Sequence, residues 1–338
     1  MTIRNQPPRH EDYTVGWICA IPPEAAAAKG MLDEIHEIPP DLKQDPMDSN
    51  TYVLGRVGEH NVVIACLPAG LIGIDTAATV ATRMLFTFKW IRFGLMVGVG
   101  GGIPGRGNDI RLGDVVVSQP KDASGGVIQY DFGMTVQDGR FRRTRSLNRP
   151  PDVLLTALST LQTRYMMEKP RLDNHMRGMF KRWTGMEAGF SYPGAENDTL
   201  FRSDYDHPVE GGEDSCIKCD PAQTLRRAPR TQVAPEIHYG IIASGNQVIK
   251  HGRTRDRLRD ELNVLCCEME AAGLMDNFPC LVVRGICDYC DSHKNKMWQP
   301  YAAATAAAFA KEILGVIPAK NVRETPACKL EMSISISK

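Results

Sequence analysis

At 338 residues, with 43% hydrophobic and 24% charged residues, the chain has the make-up of an ordinary soluble protein holding one large domain or two small ones. Forty basic residues balance forty acidic ones, for a formal net charge of zero, so the electrostatic footprint of a nucleic-acid binder is missing. No apolar run reaches the roughly 18 residues of a membrane span, and the opening MTIRNQPPRHEDY lacks the apolar core of a secretory leader. Ten cysteines are present, and Cys19, Cys66, Cys266, Cys267, Cys280 and Cys287 lie in apolar strand contexts. They are expected as buried, reduced thiols of a cytoplasmic protein.

Residues 1–12 are polar and read as a disordered tail. Residues 13–21 (YTVGWICAI) read as a first strand, and Pro22-Pro23-Glu24 opens a helix through the alanine run that follows, with proline where its missing N–H costs nothing. Glu24 has a bland explanation, since acids favour the positive end of a helix dipole. Residues 37–50 are loop. Residues 51–55 and 61–67 form a strand pair across a turn at Gly58, and 76–88 a helix with small residues down one side. The next strand, 93–97, runs into a glycine cluster at Gly98, Val99, Gly100, Gly101 and Gly102, read as a loop where a ligand approaches the backbone closely. It lacks the Gly-Lys-Ser/Thr of a Walker loop and the spacing of a dinucleotide fingerprint. Residues 111–118 follow as another strand.

Residues 126–133 are strand-like, the basic piece RFRRTRSLNRP is a solvated surface, and 151–162 is an amphipathic helix. The stretch 167–235 is polar and turn-rich and reads as an insertion. It carries Cys216-Ile217-Lys218-Cys219, with His207 nearby. Structural zinc usually takes four ligands, of which one CxxC supplies two. His207 and a fourth group would complete a site, whereas a free or exposed dithiol is the simpler expectation. Residues 237–244 form a strand ending in Gly245-Asn246-Gln247-Val248-Ile249, then come a helix over 253–262, an alanine-rich closing helix over 299–316 and a tail over 318–338.

The chemistry concentrates in 262–291, LNVLCCEMEAAGLMDNFPCLVVRGICDYCD. An apolar strand ends in Glu268 and Glu270, two residues apart and so on one face. A second buried strand, 281–286, delivers Asp288 at its carboxyl end, where ligands bind in open α/β sheets. Taken as neighbouring strand ends, they make Glu270 and Asp288 a candidate acid and ligand pair; ordinary strand-end carboxylates are the alternative.

Glu268-Met269-Glu270-Ala271-Ala272 followed by Arg284-Gly285-Ile286-Cys287-Asp288 resembles the paired signature of the nucleoside phosphorylase/nucleosidase superfamily, which covers purine nucleoside and uridine phosphorylases, AMP nucleosidase and methylthioadenosine/adenosylhomocysteine nucleosidase. The pattern is most similar to the last of these and to domains of multidomain fungal receptor-like proteins. The resemblance covers most of 13–317, with the middle third excepted. It implies a three-layer α/β fold, a mixed twisted sheet flanked by helices, as one domain over 13–317 with an insertion at about 167–235.

For the site, the resemblance implies that Glu270 holds the ribose hydroxyls, Met269 lies against the sugar and Asp288 protonates the leaving purine. Gly98, Val99 and Gly100 lie beneath the ribose, and Asn246, Val248 and Ile249 line the purine. From their places in the sequence, Glu268 joins the substrate-binding set and Arg284, on the strand of Asp288, is expected to orient it. Glu24, four residues after Ala20, matches the nucleosidase base that activates water. The phosphate-holding Arg and Ser of the phosphorylases are replaced by alanine and proline in 20–28 and by Met96 and Val99; Arg106 and Arg111, further along, are the remaining candidates for an anion. An anionic co-substrate needs cationic or dense hydrogen-bonding partners, so water is the better nucleophile. The expectation is a purine nucleoside hydrolase acting on adenosine-like nucleosides, without metal or cofactor, as a cytoplasmic homodimer with no nucleic-acid or membrane partner. A phosphate-dependent phosphorylase and a nucleoside-sensing module are the rivals.

Overall fold

The computed structural model describes residues 8–105, 107–208, 216–230 and 233–328. In chain order the first half comprises β1 (Tyr13–Cys19), α1 (Pro22–Met31), β2 (Glu34–His36), β3 (Tyr52–Val57), β4 (His60–Cys66), α2 (Ile74–Thr87), β5 (Phe93–Gly102), β6 (Val115–Ser118) and β7 (Val127–Gln129). After the small hairpin of β8 (Gly133–Thr135) and β9 (Phe141–Arg143) come α3 (Asp152–Tyr165), α4 (Leu172–Arg182) and α5 (Thr184–Phe190). The last part holds β10 (Ile237–Ser244), α6 (Gly252–Leu262), β11 (Val264–Glu268), β12 (Cys280–Asp288), α7 (Gln299–Leu314) and α8 (Ala319–Glu324).

Ten strands join one mixed sheet in the order β11-β10-β6-β12-β5-β1-β4-β3-β2, with β7 beside β10. β5 is long enough to serve both ends of this path. Its first half lies parallel between β1 and β12, and its last residues, Gly101 and Gly102, pair antiparallel with Cys267 and Cys266 of β11. The sheet therefore curls closed through β5, β12, β6, β10 and β11. The buried faces explain the sequence: β12 (CLVVRGICD) is buried at every position, as a strand covered on both sides must be.

Helices cover both faces. Met31 of α1, Leu154 of α3, Met179 of α4 and Phe309 of α7 share one core with the sheet, while Val80 and Met84 of α2 share the other. α7 is alanine-rich and buried almost all round. It lies so close to β12 that a Cβ on Gly285 would sit 1.8 Å from the Ala302 carbonyl oxygen, so only glycine fits there. This is a three-layer α/β architecture, as the sequence implies.

Several expectations are corrected. The glycine cluster is not a loop but the second half of β5, because β12 and β11 both offer it backbone partners. The ends of β11 and β12 are not neighbours, since β5 pairs with both and lies between them. Glu270 stands past the end of β11, in the turn before a short 3-10 helix. The stretch 167–235 is not merely turn-rich: α4 buries Leu172, Met176 and Met179 against α7 and α1. Beyond 317 the chain continues into α8 with Val322 buried, and Cys328 N–H donates to the Ile91 carbonyl at 2.8 Å. Within the expected N-terminal tail, His10–Asp12 form a 3-10 turn; residues 1–7 lie outside the described residues. Among the described residues no helix is long and apolar enough to cross a membrane.

Candidate active site

The site is built along the glycine half of β5. At one end stands Glu24, at the third position of α1, where the double proline starts the helix and turns its carboxylate back over the β1 end. Oε2 accepts the N–H groups of Ala20 (2.6 Å) and Ile21 (3.2 Å), and Oε1 accepts that of Val99 (2.8 Å). Burial pushes the Glu24 pKa up, against the pull of Arg284 and these three N–H groups. Gly98 is what lets the groups meet: a Cβ there would lie 2.4 Å from Glu24 Oε1 and 2.5 Å from Arg284 Nη1.

Arg284 is wholly buried, and its Nη2 donates to Glu268 Oε2 and, at 3.4 Å, to Glu270 Oε2. Its Nε and Nη1 have no hydrogen-bond partner among the described residues. Burial alone would lower its pKa, but Glu268, Glu270 and Glu24 outweigh that and raise it. Glu268 is spent locally, because its carboxylate also accepts the N–H groups of Glu270 (3.1 Å) and Ala271 (2.9 Å) and so fixes the turn that carries Glu270. Glu270 is pushed up to about 7, first by burial and then by the like charges of Glu268 and Glu24, with Arg284 opposing. Three carboxylates thus share one guanidinium, a balance that disfavours any further anion.

Asp288 occupies the other end. A Cβ on Gly101 would lie 2.6 Å from Asp288 Oδ1 and 2.3 Å from Cys290 Sγ, so this carboxylate also rests on bare β5 backbone. Oδ1 accepts the Cys290 N–H (3.0 Å), and Oδ2 takes Lys294 Nζ (2.9 Å) and the Cys287 thiol (3.2 Å). Lys294 is largely buried, which alone would lower its pKa, yet Asp288 raises it. At about 3.3 Å per strand residue, Gly98 and Gly101 are about 10 Å apart.

No family model matches the chain. Over 307 residues it is 48% identical to a nucleotide-binding leucine-rich repeat (NLR)-like protein of Hyaloscypha variabilis, a match that takes in 91% of this chain. The chain spans 30% of that relative's length. It is 25% identical over 310 residues to a 5′-methylthioadenosine/S-adenosylhomocysteine nucleosidase of Mycobacterium bovis, covering 90% of this chain and 97% of that protein. Among solved structures, the S-adenosylhomocysteine nucleosidase of Streptococcus pyogenes in complex with 5-methylthiotubericidin superposes with a TM-score of 0.57 at 16% identity, over 91% of this chain and 98% of that one. The futalosine hydrolase of Helicobacter pylori gives 0.55 at 16%, over 90% and 99%.

The chain has the nucleoside phosphorylase/nucleosidase fold. Within that fold Glu24, Arg284, Glu268 and Glu270 gather at one end of the β5 glycine run, and Met269 beside them is half-buried. Other sequence-predicted residues are placed differently. Asn246 is exposed, and its side-chain oxygen accepts the Ile74 N–H at 3.0 Å, capping α2. Ile249 is buried in a cluster with Tyr130, Leu258 and Cys290, whereas Val248 is exposed, so the two do not form one wall. Arg284 is bonded to the glutamates and not to Asp288; Lys294 takes that place. Arg106 lies outside the described residues. Arg111 donates to Asp109 (2.8 Å) and to the Ala228 carbonyl (2.6 Å). It lines a cleft of about 350 Å³ with Arg227 and Arg230, which are themselves paired with Asp198 and Asp114. Lys294 gave no signal in the sequence, because it meets Asp288 across an irregular loop that no periodicity describes.

Proposed function

We propose that the chain is a purine nucleoside N-ribosyl hydrolase that releases free base and ribose from adenosine-like nucleosides. The observation that carries this reading is the cluster of Glu24, Glu268 and Glu270 around Arg284, set about 10 Å along the strand from Asp288. Cleaving an N-glycosidic bond makes an oxocarbenium-like sugar, so the purine must leave neutral, the sugar must be held and a nucleophile must approach the opposite face. Asp288, which must be protonated when substrate binds although Lys294 favours its ionised form, gives that proton to purine N7 as the C1′–N9 bond breaks and its electron pair passes to the base. Lys294 at 2.9 Å then stabilises the carboxylate left behind. Glu270 accepts the ribose hydroxyls with Met269 against the sugar, and Arg284 and Glu268 position Glu270. Glu24 takes a proton from water as the water oxygen bonds to C1′.

Water is favoured over phosphate because a dianion brought to this end would face three carboxylates and one guanidinium already shared among them. A pure sensing role is disfavoured by the presence of Glu24, Glu270 and Asp288 together. On its likeness to the nucleosidases, the chain acts as a homodimer, which light scattering at one chain's mass would refute. Its ten cysteines, all present as thiols, fit a cytoplasmic setting. The test is base release from a panel of purine nucleosides, followed by chromatography. Adenine from adenosine is expected. No base from any member of the panel would overturn the hydrolase in favour of the sensing module.

A further inference from the structure

The stretch before β10 folds back onto the loop that follows Asp288. His207 N–H donates to Ser292 Oγ (2.9 Å), and Ser292 Oγ donates to Asp206 Oδ1 (3.3 Å). The Cys216 thiol approaches the His293 carbonyl at 4.0 Å, and Tyr289 OH donates to Asp198. At this seam the ligand atoms of His207, Cys216 and Cys219 all lie within 4.8 Å of one another. The dithiol is not an exposed one, since Cys219 is buried.

We propose that His207, Cys216, Cys219 and His293 form a structural zinc site that clamps this stretch to the loop bearing Lys294. Two thiols and an imidazole at this spacing are the donor set zinc prefers, and its ligands stand about 3.5–4 Å from one another around a tetrahedron. The fourth position falls to His293, whose ring nitrogens lie outside that 4.8 Å group, so its side chain must turn to reach the ion. Its side chain is 4% exposed, and neither ring nitrogen has a hydrogen-bond partner among the described residues, a costly state for a buried imidazole. Its ring stacks on Phe201 at 3.9 Å and stands edge-on to the His207 ring at 5.4 Å.

One outer partner fits the same assignment. His207 Nδ1 faces the Pro208 carbonyl at 3.0 Å, which selects the tautomer with the lone pair on Nε2. His293 Nδ1 lies 3.7 Å from Asp291 Oδ1, beyond hydrogen-bond reach.

This site does not rest on the nucleosidase reading, and its test reads metal rather than turnover. The full chain, purified without chelator, is analysed for metal by plasma mass spectrometry, then exchanged with cobalt(II). One zinc per chain and the visible spectrum of tetrahedral thiolate-bound cobalt are expected. Cys216→Ser/Cys219→Ser abolishes both, Cys328→Ser keeps both, and His293→Ala weakens zinc at least tenfold in a chelator competition. A wild-type chain that takes up no zinc, a double variant that still binds it, or an intact mass two hydrogens lower from a Cys216–Cys219 disulfide would overturn the site. Should the double variant fail to fold, the wild-type spectrum decides alone: octahedral cobalt, or none bound, refutes it.

Discussion

The two ends of the β5 glycine run hold carboxylates under opposite conditions. At Gly98, three glutamates crowd one arginine; burial lifts Glu24 above the ordinary carboxylate range, and burial with the like charges of Glu268 and Glu24 lifts Glu270. At Gly101, a single aspartate has a lysine of its own and a backbone N–H. On the proposed function, one end would hold hydroxyls and take a proton from water, and the other would give a proton away. A common strand thus carries two electrostatic environments, set by which side chains the flanking elements deliver to bare backbone.

The Asp288 end should break hardest. Asp288→Asn is expected to lower turnover by roughly 10²–10⁴, the usual range for a general acid, with the fold intact by circular dichroism. Unchanged turnover removes Asp288 from the chemistry. At the other end, Arg284→Met leaves the glutamates uncompensated, so urea unfolding should show a loss of about 3–5 kcal/mol; a neutral result would mean that the cluster is already protonated. Gly98→Ala forces Glu24 and Arg284 apart and should cost about 1–3 kcal/mol, as overpacking does. Ile249→Val should cost about 1 kcal/mol of stability.

Much of this was legible. The strand that delivers Asp288 and the double proline that opens the Glu24 helix are local patterns, and the structure keeps both. What failed was non-local. Gly98, Val99 and the three glycines that follow have the composition of a loop, yet become strand because β11 and β12 supply partners from residues over 150 positions away. Leu172, Met176 and Met179 do carry a helical stripe, hidden in a polar stretch whose later part is irregular. Val248 and Ile249 are adjacent, and their opposite exposure follows from the turn after β10 rather than from strand alternation.

The same two glutamates make stability depend on pH. The native state holds protons on Glu24 and Glu270 that the unfolded chain releases near 4.5. Native protein therefore binds more protons above that value, and stability should fall as pH rises from about 4.5 towards about 7, then level off. Glu270→Gln should flatten that slope in denaturant titrations across the range. The pH profile of kcat/KM should run the other way, with an acid limb above 4.5, because Glu24 acts only when ionised.

The central claim is that water, activated by Glu24, attacks the sugar. It is tested most directly by following adenosine cleavage in phosphate-free buffer and in millimolar phosphate, with wild type and Glu24→Gln side by side, and identifying the sugar product. The account predicts free ribose at one rate in both buffers, and a Glu24→Gln variant that loses most of that rate while still binding substrate through Glu270. Ribose 1-phosphate, or a rate rising in proportion to phosphate, would contradict it.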